Sequence, residues 1–152
     1  ANAPYYGMVR GMQRYFLQGI SPRQLILGVP WYGYVYPCLE QPTFLGKAAE
    51  DEALWMNVPK EPFYCSIKSV PFRDIPCSDA AGSQIAYNKL VTQVLLDHHD
   101  FVQVQWDENQ LASYVTRMEP VDSSSNFYHQ YWFDSPRSLR LKYSWAQENQ
   151  LR

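Results

Sequence analysis

The run LILGV at Leu25–Val29, closed by Pro30, constrains the fold more than any other stretch of the chain. It is apolar with little alternation, the pattern of a strand covered on both faces, as in a parallel sheet. Residues 3–18 precede it with Met8, Met12, Tyr15 and Phe16 at helical spacing, and Gly19 as a stop signal. SPRQ then reads as a turn and 24–30 as the strand. Helix, turn and buried strand form a unit of α/β architecture. A parallel strand needs neighbours on both sides, and no other segment offers one of equal quality. The chain therefore reads as part of a larger sheet, with NQLR standing where an α/β protein would next need a strand.

From Tyr36 to about Gly82 the texture changes. Of the 11 prolines, those at 37, 42, 59, 62, 71 and 76 lie here, with Pro30 just before. All three cysteines, Cys38, Cys65 and Cys77, lie here too. This is read as a long excursion from the α/β pattern. Residues 47–57 suit a short acidic helix or a solvated face. Residues 84–96 return to helical periodicity. The segments 101–106, 111–118 and 127–133 are read as strands, with a turn at 122–126. One helix beside three strands predicts a small α+β unit with an antiparallel sheet. Ser135 before Pro136 then marks a helix start, with Leu139, Tyr143 and Ala146 along one face.

With 152 residues the chain is long enough for one domain and too short for two. Its net charge of −2 carries no basic stripe, so neither nucleic acid nor an anionic membrane is an expected partner. No apolar stretch approaches the roughly 20 residues of a spanning helix. The first residues lack a signal-peptide pattern, which leaves the compartment open. The cysteines are too widely spaced for a zinc ribbon. An odd count leaves a free thiol or a partner outside the chain. The three are disulfide candidates in an oxidising compartment, or plain thiols in a reducing one.

Chemistry is thinly marked. DHHD (97–100) offers no metal site, because adjacent histidines point to different sides of either element, and a solvated loop is the simpler reading. His129 alternates within a strand and is read as structural. Ser78-Asp79 lacks a positioned histidine, so a Ser-His-Asp site is unsupported. No cofactor motif is present. What stands out is aromatic content, 12 Tyr and 5 Trp, with the PWYGY cluster directly after the apolar run. Such rings can pack inside or present a flat face to a ligand.

Three segments carry a resemblance: NAPYYGMVRGMQRYFLQGISPRQLILGVPWYGYVYPC, VPFRDIPCSDAAGSQIAY and YWFDSPRSLRLKYSWAQENQLR. They resemble the chitinase-like eighteenth family of glycoside hydrolases, where a G(V/I)P(W/F/T)YG strand precedes a (Y/F)D(D/S/N)P.S(L/I)..K..Y helix start. The middle segment points to a narrower branch. Residues 39–64 depart from the family's pattern, and no role is carried onto them.

The resemblance implies a C-terminal part of a (β/α)8 TIM barrel with an α+β insertion. Residues 1–36 would be a barrel segment ending in strand seven, 37–130 the insertion, and 131–152 the helix before strand eight. Barrel enzymes act at the C-terminal ends of their strands, which makes Trp31, Tyr32 and Tyr34 candidates to line a sugar cleft. Packing of the barrel top is the alternative. Arg73 is the polar candidate from the insertion, against an ion pair with Asp74.

The implied reaction is retaining, substrate-assisted hydrolysis of the GlcNAc-β-1,4-GlcNAc core of Asn-linked glycans, in the lysosome or secretory pathway. The implied partner is an N-acetylglucosamine oligosaccharide bound to a monomer. The family's D-x-x-D-x-E acid motif is absent: DHHDFV (97–102) has Val at the acid's place. The sixth-strand Met-x-Tyr-Asp and the eighth-strand Trp are absent too. The chain alone is therefore expected to be inactive, with no catalytic residue, metal or cofactor. A non-catalytic carbohydrate-binding module and a segment that does not fold stably are the competing expectations.

Overall fold

The computed structural model describes residues 3–39, 65–67, 70–77, 81–96, 103–120 and 126–152. The acidic segment 47–57, the turn 122–126 for all but its last residue, and DHHDFV lie outside these residues.

Helix α1 spans Tyr5–Leu17, as its spacing of apolar residues predicts. No side chain caps its start; instead the Tyr5 N–H donates to the Gln110 carbonyl at 3.1 Å, tying the helix to a distant turn. Gly19 ends it. With φ of 82° it adopts the left-handed conformation that glycine takes without strain, and Ile20 N–H closes back onto the Tyr15 carbonyl.

The expected strand at 24–30 is not formed. Pro22–Gln24 make a 3-10 turn, and residues 25–30 pair with no strand among the described residues. Their exposure alternates: Leu25, Leu27 and Val29 are half-buried, while Ile26 is 71% exposed. Among the described residues two backbone bonds reach the segment, both at Leu25: its N–H donates to the Pro22 carbonyl at 3.0 Å, and its carbonyl accepts from the Arg152 N–H at 3.0 Å. The physical reason lies in the ladder: a strand exists only by exchanging hydrogen bonds with neighbours, and an apolar run cannot supply its own.

The sheet forms from the segments that follow. Strands β1 (Tyr32–Pro37), β4 (Ser83–Ala86), β5 (Gln105–Asp107), β6 (Ala112–Pro120) and β7 (Asn126–Phe133) assemble in the order β4-β1-β7-β6-β5. Every pairing is antiparallel. A separate hairpin joins β2 (Val70–Phe72) to β3 (Ile75–Cys77). The strands expected at 111–118 and 127–133 match β6 and β7; of that expected at 101–106, residues 105–106 fall in β5, 103–104 are not strand, and 101–102 lie outside the described residues.

The helix expected at 84–96 is also corrected. Ser83–Ala86 is a strand on β1, and only Tyr87–Leu90 begins helix α2, which continues as a π-turn over Val91–Leu95. Pairing with the open edge of β1 overrides the local periodicity.

Register divides the sheet into two faces. Val35, Tyr131 and Val115 stand opposite one another across β1, β7 and β6. On that face Leu90 and Val94 of α2 complete a core with Tyr131, Phe133 and Val115. Tyr34, Trp132 and Tyr114 stand opposite one another on the other face, where Tyr36, Ala112, Tyr114 and Trp132 are buried together. Helix α3 (Pro136–Glu148) begins where Ser135 predicts, with the Ser135 hydroxyl accepting from Ser138 N–H at 3.4 Å. It meets α1 through Phe16 stacked on Trp145 at 6.3 Å.

Cys38 and Cys65 form a disulfide across a separation of 27 residues. In the chain-entropy view, a loop of that size contributes about 3–4 kcal/mol by restricting the unfolded chain. Leu39 N–H donates to the Ser66 carbonyl at 2.8 Å beside it.

Candidate functional site

The four residues marked as sugar contacts fall in three places. Tyr32 and Tyr34 lie two apart on β1, so their rings share a face, with centroids 6.1 Å apart. Tyr36 extends the row, stacked on Tyr34 at 5.8 Å. Glycine makes this row possible. A Cβ on Gly82 would come within 2.6 Å of Tyr36 Cε1 and 3.0 Å of Tyr34 Cδ1, so any side chain there would displace the rings. Behind Tyr34 lie Trp132 and Tyr114, stacked at 4.7 Å. The Trp132 indole N–H donates to Gln130 Oε1 at 2.9 Å, which locks the ring. Tyr36 is buried while Tyr32 and Tyr34 are half-buried, so only the outer two rings of the row can meet a ligand.

Trp31 is elsewhere. Its ring lies on the Tyr87 side, edge-to-face with that ring at 6.0 Å, and is 72% exposed. Trp31 stands at a bend just before β1, outside the strand that carries Tyr32 and Tyr34. Arg73 lies at the turn of the β2–β3 hairpin. Arg73 and Asp74 both have positive φ, 50° and 65°, the two-residue turn that suits a twisted hairpin. The structure thus brings Tyr32 and Tyr34 together on one face, sets Trp31 against Tyr87, and puts Arg73 in the hairpin turn.

Beside Trp31 is a cavity of about 210 Å³, lined by Val29, Pro30, Trp31, Tyr87, Asp134, Pro136 and Leu139. Its polar member is held tightly. Lys142 Nζ donates to both carboxylate oxygens of Asp134 at 2.7 Å, and Ser138 Oγ donates to Oδ1 at 2.8 Å. Lys142 is 2% exposed and Asp134 7%. Ser113 Oγ donates to Ser135 Oγ at 2.7 Å next to this pair. Ser138 and Lys142 lie four apart on one face of α3, and Asp134 stands four before Ser138, just ahead of the helix's cap residue Ser135. That spacing was a readable signal of a buried pair, and sequence reasoning gave these residues no role. Tyr87 and Leu139 carried no signal, because only the fold brings them to Trp31.

Among the described residues no cluster of His, Cys, Asp or Glu could hold a metal ion, and no helix is long and apolar enough to cross a membrane. The carboxyl that lines the cavity, Asp134, is held by Lys142 and Ser138.

No family model matches the chain. Curated relatives do. The chain aligns over all 152 residues with the di-N-acetylchitobiases of Rattus norvegicus and Mus musculus at 38% identity, and of Homo sapiens at 36%. From end to end, the chain is similar to di-N-acetylchitobiase. It spans about a third of their length, 35% of the rat and mouse proteins and 33% of the human one. Two solved structures share the fold. One is the sporulation-specific glycosylase ydhD of Bacillus subtilis, at TM-score 0.57 and 16% identity, over 97% of this chain and 35% of that one. The other is the spore cortex-lytic enzyme SleL of Bacillus megaterium, at TM-score 0.55 and 18% identity, over 98% and 25%. The fold is accordingly a mixed α/β arrangement found as one part of larger glycosylase chains.

Proposed function

We propose that this chain is a C-terminal part of a chitobiase-like glycoside hydrolase, whose substrate is the GlcNAc-β-1,4-GlcNAc core of Asn-linked glycans. The observation that carries the reading is similarity to di-N-acetylchitobiases along the whole chain, at 36–38% identity. On this reading residues 25–30 are a strand of a parallel barrel whose neighbours are contributed by further sequence. Two facts support that: the alternating exposure of 25–30, and the Arg152–Leu25 backbone bond, which is where a following parallel strand would begin its ladder. Tyr32 and Tyr34 follow directly, at the end of that segment where a barrel enzyme holds its substrate.

Their division of labour follows from ring chemistry. A pyranose presents flat C–H patches that pack on a phenol face, while the hydroxyl directs a hydrogen bond at a sugar oxygen. The part of the enzyme in this chain therefore binds and orients; bond cleavage needs a carboxylic acid on the leaving oxygen and assistance from the substrate acetamido group. The D-x-x-D-x-E motif that supplies the acid in the family is not in these 152 residues. The lysosome is the compartment this substrate implies, and the Cys38–Cys65 disulfide suits an oxidising folding environment.

The test is an assay of the isolated chain with a fluorogenic chitobiose glycoside, paired with calorimetric titration of chitobiose. The expected result is binding without turnover, weakened at least tenfold by Tyr32→Ala. Any turnover would defeat the missing-acid argument. Affinity unchanged by Tyr32→Ala would remove the tyrosine row from the site.

A further inference from the structure

We propose that the cavity beside Trp31 is a second carbohydrate site, separate from the tyrosine row and shaped for the acetamido group of one N-acetylhexosamine residue. The choice of an N-acetylated sugar rests on the reading given above; the volume and lining of the cavity are those of the 152-residue chain.

Size sets the first limit. At about 210 Å³ the cavity lies below the roughly 300–1,000 Å³ of sites that enclose drug-sized ligands, so it admits a single substituent or ring. Chemistry sets the second. Val29, Pro30, Pro136 and Leu139 furnish aliphatic walls, which suit a methyl group. Asp134 is the one carboxylate among the lining residues. Its charge is already matched by Lys142, so the site does not call for a cation. Its acceptor capacity is incomplete: Oδ1 takes Lys142 and Ser138, whereas Oδ2 takes only Lys142 among the described residues. A carboxylate oxygen accepts more than one hydrogen bond, so Oδ2 can receive a neutral N–H or O–H. An acetamido group offers that combination, a donor N–H and an apolar methyl a few bonds apart.

The mouth sets the third limit. Trp31 is 72% exposed, and its contact with Tyr87 is edge-to-face, which leaves an indole face open to solvent. A pyranose whose acetamido group enters the cavity would lay its C–H face on that indole. The ion pair acts here through position. It ties Asp134, just ahead of α3, to Lys142 within the helix, and so fixes the start of α3, with Pro136 and Leu139, as one wall.

Solution NMR of the 152-residue chain tests this with methyl β-N-acetylglucosaminide and methyl β-glucoside as probes. The Trp31 indole N–H resonance, assigned from a Trp31→Phe variant, is followed through each titration. The expected result is a saturable shift with the N-acetylated glycoside, at least tenfold weaker with the glucoside. Leu139→Trp, which fills the cavity from a partly exposed helix position, is expected to abolish it. No shift at Trp31, equal affinity for the two glycosides, or a shift that survives Leu139→Trp would each overturn the proposal. The ring resonances of Tyr32 in the same titration report on the tyrosine row, so the tyrosine-row reading stands or falls separately.

Discussion

The two ends of the chain and the sheet between them solve the burial problem differently. In the sheet, Tyr114 and Val115 are fully buried on opposite faces of one strand, and α2 inserts Leu90 and Val94 on one side. Each strand finds its hydrogen-bond partner within 100 residues of its own sequence. Helix α1 and the 25–30 segment show the reverse. No residue of α1 is buried, Leu17 is 87% exposed, and among the described residues the apolar run beside it carries backbone bonds only at its first residue, Leu25. The lesson is that hydrophobicity alone does not create a core. The most apolar run of the chain joins no sheet among the described residues, whereas every strand of a sheet built of tyrosine, tryptophan and glutamine is paired.

The junction between the two regions should be the most sensitive point. Lys142→Ala leaves Asp134 buried without its counter-charge, an arrangement that costs about 3–5 kcal/mol; urea unfolding followed by tryptophan fluorescence would measure it. A change below 1 kcal/mol would mean that the junction is not shielded from water. Next comes the sheet core, where Leu90→Ala is expected to cost about 2–5 kcal/mol through the cavity it opens between α2 and the sheet. Gly82→Ala should cost about 1–3 kcal/mol, since its Cβ must push Tyr36 and Tyr34 aside; the near-ultraviolet circular dichroism of the tyrosines should change with it. Leu17→Ser should change stability by no more than about 0.5 kcal/mol. A larger loss would show that α1 is buried in solution, and the contrast drawn here would have to be withdrawn. Amide hydrogen exchange sharpens the same comparison: β6 and β7 should be protected longest, while residues 25–30 exchange quickly.

Much of the fold was legible where local chemistry decides. The glycine at 19, the Ser135-Pro136 pair and the segments around 111–118 and 127–133 each act through their nearest neighbours. The candidate site was less legible. Tyr32 and Tyr34 share a face because strand geometry places residues two apart together, which an alternating pattern discloses. Trp31 stands at the bend before that strand and packs on Tyr87, yet proximity in sequence suggested one cluster. The 84–96 segment shows the opposite limit: its periodicity was helical, and the open edge of β1 captured its first residues.

From its own residues the chain determined where helices begin and end and which segments could become strands, since capping, turn conformation and side-chain alternation operate within a few bonds. Only tertiary structure decided that Ser83–Ala86 would pair, that LILGV would not, and that Asp134 would stand beside Trp31. Each of those outcomes depends on a partner supplied from a distant part of the chain, and a hydrogen bond or a packed wall needs both sides to exist.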